Sequence, residues 1–137
     1  MTVTELELPT LRLATLRRLI STKPAPLVFA RDTPLRIVEE ALRELPQATV
    51  VLVDRDHALC GVLVVADLPD DRDLASRADI AMSTRIVFLE PEHDVDAALA
   101  TLDVHHADYV VVALAGELLG VLSRADLERS HRPRRAA

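Results

Sequence analysis

Three aromatic side chains, Phe29, Phe88 and Tyr109, are all that 137 residues contain, and tryptophan is absent. Stacking platforms for single-stranded nucleic acid need more than this. A core so poor in rings has to be filled by Val, Leu, Ile and Ala, as tightly packed β/α layers are. Cys60 is the only cysteine, which excludes an internal disulfide and a multi-thiolate metal site; its neighbours Leu59 and Gly61 predict a buried thiol inside a strand. Glycine is as scarce. With only Gly61, Gly116 and Gly120, neither a dinucleotide-binding fingerprint nor a Walker-type phosphate loop can be written. No apolar run approaches the ~18 residues of a membrane span, and Met1-Thr2-Val3-Thr4-Glu5 lacks the basic region and apolar run of an export signal. A cytoplasmic protein without a membrane partner is expected. Positive charge is also in deficit: 16 Lys and Arg against 22 Asp and Glu leave a net charge of −6, which argues against a nucleic-acid partner. The tail His131-Arg132-Pro133-Arg134-Arg135 is locally basic and reads as a solvated end.

What the chain has is aliphatic pattern. Half of its residues are apolar, and its length suits one domain or two small subdomains over a shared core. From Pro9-Thr10, Leu13, Leu16, Leu19 and Ile20 recur at helical spacing, predicting an amphipathic helix of about three turns with Arg12, Arg17 and Arg18 mostly off its apolar side. Lys23-Pro24-Ala25-Pro26 breaks it. Leu27–Ala30 reads as a strand, and Asp32-Thr33-Pro34 as a helix start with Asp32 or Thr33 as cap and Pro34 in the first turn, leading to a helix that Pro46 stops. Thr49–Val53 and Leu59–Val65 read as a hairpin across Asp54-Arg55-Asp56-His57. After it comes an acidic stretch, Asp67, Asp70, Asp71 and Asp73, passing into a helix whose start, with Pro69 near it, is expected about Asp67.

The order then repeats. Gly61-Val62-Leu63-Val64-Val65-Ala66-Asp67-Leu68 and Gly120-Val121-Leu122-Ser123-Arg124-Ala125-Asp126-Leu127 stand 59 positions apart (120 − 61), and Val28-Phe29 matches Val87-Phe88 at the same offset. Within the first helix the offset becomes 60, where Leu35 matches Val95. Asp94 and its neighbours mirror the earlier cap, Tyr109–Val112 and Leu118–Leu122 form a second hairpin around Ala115-Gly116, and a helix runs from Arg124 towards Ser130. Each unit reads strand, helix, strand, strand, helix, as duplication about a pseudo-twofold axis would give. The expected fold is α/β (α+β): residues 1–22 a helical segment, 23–80 and 81–130 the two repeats, 131–137 the tail.

Met82-Ser83 ahead of a unit, Val51-Leu52-Val53-Asp54 before a turn and Gly-x-x-Ser-x-x-Asp ending at Asp126, in a chain whose unit occurs twice in the same order at equal spacing, make it resemble the CBS domain family. The tandem resembles a Bateman module. That resemblance implies a disc with clefts between the units, a homodimer, and an adenosine ligand (AMP, ADP, ATP or S-adenosylmethionine) through which a partner protein is regulated, with no enzymatic activity and no required cofactor. It implies ligand contacts at Ser123 and Asp126, adenine contacts at Thr84 and Ile86 with Tyr109 and Val110 closing the other face, and phosphate contacts at Arg124 and Arg85.

The chemistry suits those roles, because a helix N-terminus favours phosphate and a carboxylate one turn in can accept hydrogen bonds from a ribose diol. Ser-x-x-Asp is equally a capping box. In the first repeat Val64 replaces the hydroxyl, so the cleft around Val64 and Asp67 is expected to bind weakly or not at all, leaving one site per chain. The alternative is an interaction or dimerisation module with both clefts degenerate. His105-His106 with Asp108 reads as a helix end rather than a metal site, since adjacent side chains diverge. His57 and His93 read as exposed turn and cap residues, and no nucleophile motif is present.

Overall fold

The structure, a computed structural model, describes residues 14–131. In chain order, helix α1 is Leu16–Ile20, β1 Leu27–Ala30, α2 Leu35–Glu44, β2 Val50–Val53, β3 Leu59–Leu63, β4 Ile86–Leu89, α3 Val95–His105, β5 Tyr109–Leu114, β6 Glu117–Ser123 and α4 Arg124–His131; single 3-10 turns lie at Val65–Asp67 and Ala78–Ile80. The strands make two three-stranded sheets, β1-β2-β3 and β4-β5-β6. In each, the first pair is parallel and the second antiparallel. A parallel pair needs a crossover, which α2 and α3 supply.

Each sheet turns one face to helices and the other to its twin. Val50, Leu52 and Leu63 pack with Leu35, Val38 and Ala78, while Val110, Val112 and Leu122 pack with Leu16, Leu102 and Leu127. Between the sheets, Val51 and Val62 meet Val111 and Val121, all four at most 4% exposed. The middle strands are therefore buried on both faces, which is why they read as continuous apolar runs. At roughly 1.5–3 kcal/mol per buried aliphatic side chain, this shared centre binds the two units into one core. The fold is the mixed α+β arrangement of two similar units that the sequence predicts.

Several local expectations are corrected. Val51 and Val111 hold equivalent central positions, and they pair with Val28 and Phe88, so the offset is already 60 at the first strand (111 − 51). It becomes 59 only at Val62 and Val121 (121 − 62). The lost residue therefore belongs to the hairpin turn and not to the first helix. The longer turn is held by the Asp54 carboxylate, which accepts from the amides of Asp56 and Ala58; the shorter has both Ala115 and Gly116 at positive φ, as a two-residue hairpin turn requires.

The final helix of the first unit does not form. Val64 has no hydroxyl for a cap and Pro69 no amide to donate, so the chain makes one 3-10 turn to Asp67 and is extended at Leu68. Pro34 lies outside α2 in extended conformation, and neither Asp32 nor Thr33 caps that helix. Its first amides, those of Leu35 and Arg36, donate instead to the carbonyls of Ser76 and Leu74. Asp94 does cap α3, its Oδ1 accepting from the Ala97 amide at 2.7 Å. Cys60 is half-buried rather than buried, because it sits beside the irregular pairing of Val53, with Arg31 Nη1 3.6 Å from its sulfur.

Helix α1 starts at Leu16: Thr15 is extended and its hydroxyl accepts from the Arg18 amide. The expectations for Pro9–Leu13 and for the basic tail beyond His131 fall outside the described residues. The N-terminal segment completes the second unit, through Leu16 N to His93 O (3.0 Å), Arg17 N to Pro91 O (2.9 Å) and Val95 N to Ala14 O (3.1 Å). The segment Ser76–Ile80 does the same for the first, through Ala78 N to Thr33 O (2.7 Å), Asp79 N to Arg31 O (3.0 Å) and Leu35 N to Ser76 O (2.9 Å). Each unit is thus closed by the stretch that precedes the other in the chain. Gly61 and Gly120 lie where these stretches cross: a Cβ would stand 2.6 Å from Ser83 O at the first and 2.7 Å from Ile20 Cγ2 at the second.

Candidate functional site

Strand β6 ends at Ser123 and α4 begins with the next residue, so the Ser-x-x-Asp motif spans a strand-to-helix junction. The Ser123 amide donates to Asp126 Oδ2 at 2.9 Å, and the Asp126 amide donates to Ser123 Oγ at 3.1 Å. This is a reciprocal capping box. The carboxylate does more than cap. Its Oδ2 also accepts from Lys23 Nζ at 2.8 Å, and its Oδ1 from Arg129 Nη2 at 2.6 Å, with the Asp126 side chain only 14% exposed. Burial pushes this carboxyl up, but the Lys23 hydrogen bond and the Ser123 backbone hydrogen bond outweigh it and hold the group below the usual carboxylate value. Asp126 is charged at neutral pH.

Three cavities adjoin this junction. One of about 440 Å³ is lined by Lys23, Leu42, Gln47, Thr49, Val65, Tyr109, Ser123 and Asp126, among others. A second, of about 400 Å³, shares Lys23, Gln47 and Asp126 and adds Thr22, Arg129 and Ser130. The third, of about 480 Å³, is bounded by Asp67, Met82, Ser83, Tyr109, Ser123 and Arg124. All three fall in the size range of small-molecule sites. The first draws its lining from both units, since Leu42 and Thr49 come from the first and Tyr109 and Asp126 from the second.

The sequence-predicted residues divide among these places. Tyr109 and Ser123 line both the 440 and the 480 Å³ cavities. Burial, with the charges of Asp67, Asp108 and Asp126, raises the Tyr109 phenol, which keeps its proton and can donate it in a hydrogen bond. Arg124 lines the larger cavity but is held by Asp103 Oδ1 at 2.9 Å and the Ala107 carbonyl at 3.4 Å. Thr84 and Arg85 are exposed on the lead-in to β4, where Arg85 pairs with Asp108 at 3.2 Å. Ile86 packs against the central cluster, and Val110 is fully buried in the core of the second unit. Val64 and Asp67, the first-unit counterparts, line both the 440 and 480 Å³ cavities, and their turn carries no side-chain cap. His57 and His93 are exposed; His105 ends α3 and His106 follows in left-handed conformation.

Sequence reasoning missed Lys23, Gln47, Thr49 and Arg129. Arg129 was within reach of it, being one helical turn beyond Asp126 on the same helix. Lys23, Gln47 and Thr49 were not, because no repeat pattern says that the motif of one unit faces the strand lead-ins of the other. Among the described residues, no helix is long and apolar enough to cross a membrane.

Residues 77–130 match the CBS domain family model. No curated protein matches the chain. Among solved structures, it is similar to a CBS-domain containing protein from Agrobacterium tumefaciens, with a TM-score of 0.66 at 19% identity over 88% of this chain and 96% of that one. It is similar to the CBS domain pair of protein MJ0100 in complex with 5′-methylthioadenosine and S-adenosyl-L-methionine, at TM-score 0.63 and 13% identity over 86% and 95%. It is also similar to the cytosolic domain of the Mg2+ channel MgtE in complex with ATP, at TM-score 0.57 and 21% identity over 76% of this chain and 44% of that one. At these identities the likeness is one of fold.

Proposed function

We propose that this chain, which has the fold of a CBS domain pair and carries a CBS domain at residues 77–130, is a regulatory ligand-sensing module and not an enzyme. In this reading it binds one adenosine-containing ligand, AMP, ADP, ATP or S-adenosylmethionine, in the 440 Å³ cavity. The observation that carries it is Asp126, an ionised and mostly buried carboxylate at the edge of a cavity built by both units. Two acceptor oxygens at fixed positions suit a ribose diol. Thr49, Val65 and Tyr109 offer a half-apolar slot for a base, with the phenol and the Thr49 hydroxyl for polar edges. Adenosine ligands in the CBS pair of MJ0100 and ATP with the MgtE cytosolic domain support this ligand class.

Because the cavity draws on both units, a bound molecule bridges them, and occupancy becomes a change in how the units meet. That is a signal a partner protein or a second copy could read, in the cytoplasm, from a homodimer. Residues 23–80 and 81–130 serve as its two halves. The Val64 and Asp67 side lacks a capping hydroxyl, so we assign it no second nucleotide. One observation favours the other reading, a ligand-free interaction module: Asp126 is already bonded to Ser123, Lys23 and Arg129.

Thermal melting with millimolar AMP, ADP, ATP and S-adenosylmethionine separates the two. A ligand at a hundred times its Kd adds ~2.7 kcal/mol to the folded state, a Tm rise on the order of 10 °C at this size. No rise with any of them moves the assignment to the interaction module.

A further inference from the structure

The Lys23–Asp126 ion pair stands between two cavities. Lys23, Gln47 and Asp126 line both the 440 Å³ and the 400 Å³ spaces, and Lys23 Nζ lies 2.8 Å from Asp126 Oδ2 with 28% and 14% of the two side chains exposed. The two spaces differ in chemistry. On one side are Leu42, Val65 and Tyr109; on the other are Thr22, Arg129 and Ser130, a cation and two hydroxyls.

We propose that Lys23 is a specificity-determining latch: a sugar diol reaches Asp126 only when Lys23 leaves it, and the ligand must then carry an anionic group to receive the displaced ammonium. This rests on the reading above and narrows it to nucleoside phosphates. A partly buried ammonium that loses its carboxylate without a replacement is left unpaired in a poorly solvated place, and that cost falls on binding. A phosphate removes the cost, accepting from Lys23 and Arg129 in the polar cavity while the base occupies the apolar one. An uncharged nucleoside gives Lys23 nothing. S-adenosylmethionine offers a carboxylate, but its sulfonium and ammonium leave it with one net positive charge, the wrong sign overall for a space that already holds Lys23 and Arg129.

The test is calorimetric titration of the wild type and Lys23→Gln with AMP, adenosine and S-adenosylmethionine. In the wild type, AMP binds at least about 30-fold tighter than adenosine, the scale of one or two charge-assisted hydrogen bonds, and S-adenosylmethionine, with one net positive charge, binds more weakly than AMP. In Lys23→Gln, AMP weakens by roughly tenfold while adenosine strengthens, so that their ratio falls to within about threefold. Arg129→Gln lowers the same ratio, which keeps the test alive if one variant folds poorly. An unchanged AMP-to-adenosine ratio in both variants, or S-adenosylmethionine binding the wild type as tightly as AMP, overturns the latch and leaves the adenosine site standing. Binding of none of the three to any of these proteins overturns both.

Discussion

Gly61→Ala is expected to lower stability by about 3 kcal/mol, the upper part of the range for overpacking a filled interior, and to drop the melting temperature by on the order of 10 °C. The added methyl would stand 2.6 Å from the Ser83 carbonyl oxygen and 2.7 Å from Met82 Sδ. Ser83 cannot step aside, because its backbone exchanges two hydrogen bonds with Val62, Ser83 N to Val62 O at 2.7 Å and Val62 N to Ser83 O at 3.0 Å. That exchange fastens the lead-in of the second unit to β3 of the first. Gly120→Ala meets only side-chain atoms of Ile20, so its cost should be smaller. Gly116→Ala meets open space and carries only the strain of its positive φ, about 1 kcal/mol. Urea or thermal melts of the three variants therefore rank Gly61 first. Equal costs at Gly61 and Gly116 would mean that the crossing segment is not held as described.

Asp126→Ala is expected to weaken nucleotide binding at least about 100-fold, because it removes a charged acceptor of two ribose hydrogen bonds, each worth ~1.5–3 kcal/mol. The fold also loses stability: losing the cap and leaving the partly buried Lys23 ammonium without its carboxylate should take about 2–3 kcal/mol. The variant should thus melt on the order of 10 °C lower and show no ligand-induced rise. Asp126→Asn separates the contributions, since an amide oxygen can still accept from the Ser123 amide but brings no charge. Its stability deficit against the wild type should shrink in acid. A carboxyl held below its ordinary value stabilises the fold above the unfolded-state value of about 4, and that contribution disappears as pH falls through the lowered folded value. Undiminished affinity in Asp126→Ala would make the residue a helix cap and nothing more.

The units and their order were legible in the sequence because burial on both faces makes the middle strands Val50–Val53 and Tyr109–Leu114 continuous apolar runs, and because the Gly-to-Asp motif recurs. Where local chemistry decided, the reading also held. Asp94 caps its helix, and Ala115-Gly116 turns its hairpin.

The errors arose where distant chain supplies what a local signal was expected to supply. Asp32 and Thr33 are good capping residues, but the amides of α2 are taken by carbonyls some forty residues away, at Leu74 and Ser76. Pro69 warned of trouble in the last helix of the first unit, and the expected outcome was a shifted start; the outcome is short 3-10 turns in place of an α-helix, because Val64 offers no cap to nucleate one. At the site, Ser123 and Asp126 announced themselves through their spacing. Lys23 did not, since a lysine in a proline break carries no sign that it will reach a carboxylate 103 positions on.

The most direct test of the account is to follow the backbone amides of the ¹⁵N-labelled protein by NMR as AMP is added. Saturable shifts at one nucleotide per chain, concentrated at Lys23, Gln47, Thr49 and Ser123 to Asp126, are the predicted result. Shifts confined to the Met82 to Arg85 side of the junction, or none at millimolar AMP, would contradict it.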